Sequence, residues 1–269
     1  KYKVSKLCIA GGVGLNCSLN GKISKSKIFD EIFVQPASGD SGVALGAVYA
    51  SMAERGRGLK VKKRYNHYLG SRYNDLSYLN YIKKNKINFK KSKNIFDDTA
   101  KFLKKGKIVG WFQGAAEFGP RALGNRSILC RPYPAKMKDY LNKRVKFREP
   151  FRPFAPAVLD IDTHRYFDIN QQSPHMLIAC NVQKKVKNKI PAVVHVDNTC
   201  RVQTVSNSTN KYFYSLIRAF KNITGIPVLL NTSFNIKGQP IVNNPDQAIK
   251  TFQKTNIDVL VIGNYILKK

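Results

Sequence analysis

The chain has 269 residues, 43% hydrophobic and 11% aromatic, enough for one large domain or two small ones with a sizeable core, which excludes a disordered tail. Forty-seven Lys and Arg against 16 Asp and Glu leave a formal charge of +31, which excludes an acidic protein and points to polyanionic partners or substrates. No apolar run approaches the roughly 18 residues of a transmembrane helix, so no membrane span is expected.

Residues 6–10 (KLCIA) read as a short buried strand, followed by the Gly11-Gly12 turn and a helix starting near Asn16. Residues 31–35 form a second strand, 36–42 a loop of small residues, and 43–55 a small-residue helix ending before Gly56. From Gly56 to Asn94 the chain is polar and basic and reads as a connector with little core of its own. A helix at 95–105 and a buried strand at 107–113 open a second α/β segment. An amphipathic helix is expected at 135–145, and strands at 155–159, 176–182, 192–196 and 202–205. The chain closes with a helix at 209–222, a strand at 227–232, a helix at 245–254 and a strand at 257–262. The fold class is mixed α/β.

The basic excess sits largely in Lys/Asn/Tyr/Ile-rich stretches such as 60–66 and 83–94, which read as solvated surface. No zinc-finger, RNP or basic-zipper pattern accompanies them, so nucleic acid is not the expected partner. The five cysteines (Cys8, Cys17, Cys130, Cys180 and Cys200) contain no CxxC pair. Reduced thiols and a cytoplasmic location are expected. The start mimics a signal peptide, but paired glycines interrupt its apolar run and no initiator Met is present. A fragment beginning in mid-protein is the expectation.

Chemistry concentrates in two stretches. In 111–131 an apolar strand runs into Gly114, and Glu117, Arg121, Gly124, Asn125, Arg126 and Ser127 follow. Glycines let main-chain N–H groups approach a ligand, and guanidinium forks suit phosphate oxygens. A turn with solvated arginines would use the same residues. In 142–156 Lys143, Arg144, Lys146, Arg148 and Arg152 face one acid, Glu149, with Phe147, Phe151 and Phe154 between them. Such crowded charge needs an anion or water to separate it. Weaker signals are Arg201 in DNTCR after the 192–196 strand, and Asn231 to Asn235 after the 227–232 strand. Gly11, Gly12 and Asn16 form a glycine turn into a helix that could bind phosphate or a base. Asp40 is a metal ligand or a helix cap; spacing does not separate the two. The four histidines show no zincin spacing, and no Ser/His/Asp arrangement is visible.

These motifs together resemble the carboxy-terminal half of the NodU/CmcH-type O-carbamoyltransferases. The matching runs are GGVGLN at 11–16, PASGDSGVALGA at 36–47, GWFQGAAEFGPRALGNRSIL at 110–129, KFREPFRPFAPAVL at 146–159, HVDNTCRVQTV at 195–205, GIPVLLNTSFNIKGQPIV at 225–242 and DVLVIGNYIL at 258–267. The resemblance implies that 1–56 is the end of a TsaD-like domain of the actin/Hsp70-like ATPase fold, 57–93 a basic connector, and 94–269 a YrdC-like domain. It implies an ATP-dependent carbamoyltransferase that forms carbamoyl-adenylate from carbamoyl phosphate and ATP, for transfer to a hydroxyl of a small molecule or saccharide. Mg2+ would accompany ATP, and an iron-type metal would sit in the TsaD-like domain. By the same resemblance Lys146, Arg152 and Arg121 are catalytic. Arg126, Arg148, Arg201, Asn231, Ser233, Gly11, Gly12 and Asn16 bind substrate or nucleotide, and Asp40 binds metal. Cys130 stands near a common Asp of the family, and Gln239 replaces a common Glu. The histidine metal ligands of the family lie outside this chain, so a complete transfer site is not expected in it. The competing readings are a threonylcarbamoyl-adenylate synthase of tRNA modification and a basic nucleic-acid-binding module.

Overall fold

The computed structural model describes residues 3–57 and 66–269. Most of the basic run at 60–66, and residues 58–65 of the connector, therefore lie outside the described residues. The elements are β1 (Lys6–Ile9), α1 (Cys17–Ser26), β2 (Glu31–Val34), α2 (Val43–Glu54), α3 (Asp75–Lys84), β3 (Phe89–Lys91), α4 (Ile95–Lys104), β4 (Val109–Phe112), β5 (Arg126–Cys130), α5 (Met137–Leu141), β6 (Ala155–Leu159), α6 (Thr163–Tyr166), β7 (Phe167–Asp168), β8 (Ala179–Val182), β9 (Thr199–Arg201), β10 (Gln203–Val205), α7 (Lys211–Thr224), β11 (Val228–Ser233), α8 (Pro245–Lys254), β12 (Val259–Ile262) and β13 (Tyr265–Lys268).

An eight-stranded mixed sheet in the order β10-β6-β11-β5-β4-β12-β13-β3 organises the chain. Its central strands are buried on both faces, so they read as continuous apolar runs. The strand period of two sorts the side chains. Val109, Trp111, Leu129, Leu229 and Val261 join α4 and α7 in one core. Phe112, Ile128, Cys130, Leu230 and Leu260 join α3 and α8 in the other. Helix boundaries follow local chemistry. The Asn94, Asn210 and Asn244 side chains accept from main-chain N–H groups three residues on, and Gly225 ends α7 in the left-handed region at φ 72°.

Three expectations need correction. The stretch 56–94 does contribute core: α3 buries Tyr78 and Ile82, and β3 pairs with β13 at the sheet edge. Residues 192–196 are not a strand. Pro191 has no N–H for a ladder, and a 3-10 turn forms at Pro191–Val193. The strand comes later, where Cys200 pairs with Cys180 across β9 and β8. The arginine-bearing stretch, where a turn with solvated arginines was one reading, contains β5, wholly buried between β4 and β11.

At the amino end, β1 and β2 pair in parallel as a separate ribbon. The ribbon and α1 dock onto the larger unit through amides that read main chain. The Asn20 side chain donates to the carbonyls of Gly14 and Leu177, both at 2.8 Å. The Gln171 carboxamide accepts from the Ile32 N–H at 3.1 Å and donates to the Ile32 carbonyl at 2.8 Å, as a neighbouring strand would.

Gly124 marks where the loop before β5 touches α7. It holds φ at 106°, and a Cβ there would sit 2.2 Å from the Phe213 ring. Gly124→Ala should lower unfolding free energy by about 2 kcal/mol or more, from strain and overpacking together. Urea denaturation measures it, and an unchanged midpoint would contradict this packing.

Candidate functional site

The last turn of α5 widens into a π-turn at Asn142–Lys146 and stops at Phe147, whose φ of 48° is left-handed. That turn carries Lys146 inward, where only 5% of it remains exposed. Its Nζ donates to the Ser233 carbonyl (2.6 Å), Ser233 Oγ (3.2 Å), the Asn235 carbonyl (3.0 Å) and Asn235 Oδ1 (2.7 Å) at the end of β11. Burial, helped by the Arg148 charge, pushes its pKa down to about 7. Neutral oxygens hold this ammonium, and among the described residues no carboxylate pairs with it. Asn142 Oδ1 accepts from Arg148 Nε at 2.7 Å, and the Arg148 guanidinium lies 4.6 Å from the Phe154 ring centre. Arg152 meets Glu149 at 2.9 Å in a half-exposed ion pair. These groups and the 235–239 turn line an open cleft of about 240 Å³.

A second group of cations adjoins the first. Glu117 Oε1 accepts from the N–H groups of Leu123 (2.7 Å), Asn125 (2.8 Å) and Arg126 (3.2 Å), which shapes the loop bearing Arg121. Arg201 ends β9. Burial pushes the Arg201 guanidinium down to about 10, Arg121 and Arg148 push the same way, and Cys17 opposes them. Burial also lowers Arg121. The Nε atoms of both arginines are buried and lack hydrogen-bond partners among the described residues. Arg148 reaches both groups electrostatically, so Lys146, Arg148, Arg121 and Arg201 form one cationic tract. Such a tract suits an anion with several oxygens.

The other expected residues take different roles in the structure. Arg126 is not presented to a ligand. It is fully buried, its guanidinium stacks 3.7 Å from the Phe112 ring centre, and it donates to the carbonyls of Gln113 (2.6 Å) and Ser71 (2.8 Å). Asn231 is sealed in the sheet at 1% exposure, where it donates to Gln203 Oε1 and the Ala122 carbonyl and braces the Arg121 loop. Gly11 and Gly12 are exposed, and Asn16 caps α1 by accepting from Leu19 N–H at 3.0 Å. Asp40 opens a 3-10 turn ahead of α2. Among the described residues no three His, Cys, Asp or Glu side chains gather where they could hold a metal ion. Sequence reasoning missed Asn235, Asn142 and Glu117 as organisers of the tract. Asn235 lies two residues past Ser233 in a tight turn, its N–H donating to the Ser233 carbonyl at 3.0 Å, which folds it back beside Lys146.

Comparison with known proteins gives a consistent result. Residues 100–269 match the family model for the carbamoyltransferase C-terminus, and residues 1–49 that for the carbamoyltransferase N-terminus. The chain is 43% identical over 273 residues to nodulation protein NolO of Bradyrhizobium diazoefficiens, covering 99% of this chain and 50% of that protein. It is 34% identical over 261 residues to a 3'-hydroxymethylcephem-O-carbamoyltransferase of Amycolatopsis lactamdurans, covering 97% and 48%. The chain thus spans about half the length of these curated relatives. A solved structure of full-length HypF, in a phosphate- and nucleotide-bound form, covers 65% of this chain and 22% of its own at 17% identity and a TM-score of 0.43, too slight a likeness to carry an argument.

The depressed Lys146 pKa has a pH signature. Burying the ammonium penalises the fold below pH of about 7, and the penalty fades as pH rises towards the unfolded value. An anion that needs the ammonium must therefore bind with proton uptake above pH of about 7. Sulfate, whose charge is constant over this range, should bind more weakly at pH 8.5 than at pH 6, and Lys146→Met should flatten the profile. Calorimetric titration in two buffers of different ionisation enthalpy measures both. Arg126→Lys should instead lower stability by about 2–4 kcal/mol, because several buried carbonyls lose their donors, while sulfate affinity stays within about twofold, less than the roughly 0.6 kcal/mol of RT.

Proposed function

The chain belongs to the carbamoyltransferase family, and from that premise we propose that its larger unit activates a carbamoyl group with ATP for delivery to a hydroxyl. Carbamoyl phosphate and ATP are the proposed substrates, and carbamoyl-adenylate is the product of this half-reaction. The balance is explicit. Water takes the phosphoryl group of carbamoyl phosphate as inorganic phosphate and leaves carbamate. A carbamate oxygen then attacks the α-phosphorus of ATP, the bond to the β-phosphate oxygen breaks, and pyrophosphate departs.

The observation that carries this reading is the cationic tract of Lys146, Arg148, Arg121 and Arg201, none of which forms a salt bridge among the described residues, with the Nε atoms of Arg121 and Arg201 buried and unpartnered. Phosphoryl chemistry of this kind needs alignment and charge neutralisation more than a protein nucleophile. Arg121 and Arg201 would bind the phosphate of carbamoyl phosphate. Lys146, Arg148 and Arg152 would take the phosphates of ATP, with Ser233 and Asn235 fixing the Lys146 ammonium. Mg2+ is the expected companion of ATP. The acceptor is a hydroxyl-bearing small molecule or saccharide, on the analogy of the relatives' names.

The proposed division is the end of a TsaD-like, actin/Hsp70-like domain at 1–56, a connector at 57–93, and a YrdC-like unit from 94 onward. Helix α3 and strand β3 of the connector are built onto the larger unit's sheet.

Pyrophosphate release from ATP by the purified chain with Mg2+ tests the reading. It should require carbamoyl phosphate, and Lys146→Ala should reduce it about a hundredfold or more, the size of effect that removing one preorganised charge contact produces. Release unaffected by Lys146→Ala would overturn the site. Release supported by bicarbonate and threonine in place of carbamoyl phosphate would move the protein to threonylcarbamoyl-adenylate synthesis.

A further inference from the structure

We propose that Cys180 and Cys200 are an oxidation site: a small hydroperoxide converts their two thiols into a disulfide that ties β8 to β9, and a dithiol reverses it. The site is independent of the anion reading given above, since neither thiol belongs to the cationic tract.

Cys180 lies on β8 and Cys200 on β9, directly opposite each other in an antiparallel pair. Directly opposite residues send their side chains to the same face of a sheet, and here both join the same buried core. Their sulfur atoms are 4.0 Å apart, in thiol hydrogen-bond contact. Two residues along, the Val182 N–H donates to the Asn198 carbonyl at 3.0 Å. Ladder pairs of one kind recur at every second residue, so Cys180 and Cys200 form a hydrogen-bonded pair, whose Cα atoms stand about 5.5 Å apart. Disulfides span about 4.4–6.8 Å between Cα atoms, most often about 5.5–6 Å. The sulfurs can therefore close to bonding distance, about 2.05 Å, by side-chain rotation with the strands left in place. Cys8, Cys17 and Cys130 sit on other elements, β1, α1 and β5.

Cys200 is fully buried, whereas Cys180 keeps 9% of its surface exposed and is among the residues lining a cavity of about 530 Å³ between α1 and β8. Burial and the contact with Cys180 raise the Cys200 thiol well above its usual range, so it keeps its proton and reacts second. In the first step the Cys180 sulfur attacks one oxygen of hydrogen peroxide. The O–O bond breaks, the thiol proton leaves with the departing oxygen as water, and a sulfenic acid remains. In the second step the Cys200 sulfur attacks the Cys180 sulfur. The S–O bond breaks, and the departing hydroxide takes the Cys200 proton as a second water. Two thiols are thus oxidised to one disulfide while one peroxide is reduced to two waters. The new bond fastens β9, whose last residue is Arg201, to β8. Helix α1 rests on β8 so closely that a Cβ at Gly21 would come 2.2 Å from the Ala179 carbonyl oxygen.

The test is treatment of the folded chain with hydrogen peroxide, blocking of the remaining thiols with N-ethylmaleimide, and peptide mass spectrometry without reduction. A disulfide joining the Cys180 and Cys200 peptides should form within each chain, dithiothreitol should remove it, and Cys8, Cys17 and Cys130 should stay outside it. Because the bond closes a loop of twenty positions, the oxidised chain should melt about 5 °C or more above the reduced one. In Cys200→Ala, dimedone should trap a sulfenic acid at Cys180; in Cys180→Ala, Cys200 should stay unmodified under the same peroxide. Absence of the Cys180–Cys200 bond at peroxide concentrations that fully oxidise the exposed Cys8 would overturn the proposal, as would pairing of either residue with another cysteine or between chains. A cross-link that lowers the melting temperature would contradict the unstrained geometry. The parent chain alone decides the cross-link, so a variant that fails to fold leaves that result standing.

Discussion

Taking an ammonium or guanidinium out of water costs several kcal/mol unless oxygens replace the lost hydration. This chain buries Lys146 and Arg126 and the Nε atoms of Arg121 and Arg201. It has few acids to pair with them, and it solves the problem with neutral oxygens. Carbonyls, a serine hydroxyl and an asparagine amide hold Lys146, and carbonyls hold Arg126. The strand ends and turns that deliver those oxygens are consequently fixed in place. The π-turn at Asn142–Lys146 and the end of β11 are shaped by this demand as much as by their own propensities.

Two arginines five residues apart, one half-buried and one fully buried, show how burial divides roles. Arg126 donates from both terminal nitrogens to carbonyls, with its Nε alone unpartnered, and Phe112 covers its face, so it supports the fold. Arg121, five residues earlier, is half-buried, and its Nε has no partner among the described residues, so it retains capacity for a ligand. Glu117 separates the two fates. By taking three main-chain N–H groups with one carboxylate oxygen it tightens the loop and leaves Arg121 without an acid.

Much of this was legible in the amino-acid pattern. The α/β alternation, the core strands and the position of the basic stretches follow from period-two and period-3.6 apolar residues. Most helices sit within a few residues of their expected bounds. Strand β5 was hidden because Arg126 and Ser127 are polar, and only the tertiary placement of Gln113, Ser71 and Phe112 makes their burial tolerable. Strand β3 was hidden because FKK on a sheet edge has no apolar alternation to read. The grouping of Lys146 with Ser233 and Asn235 spans nearly ninety positions. Spacing carries no information over such distances; only sheet register and helix docking do.

The Gln171 carboxamide, bonded to both the N–H and the carbonyl of Ile32, sets how the amino-terminal ribbon can vary. An amide that pairs with main chain is indifferent to the identity of the side chain at that position. Strand β2 can therefore exchange its outward residues without loosening its attachment. The docking is also directional: a one-residue slip of β2 would present the amide with a peptide group turned to the opposite side, and both bonds would be lost together. The joint between the two family segments thus behaves as a register lock that tolerates changes of residue and forbids changes of length.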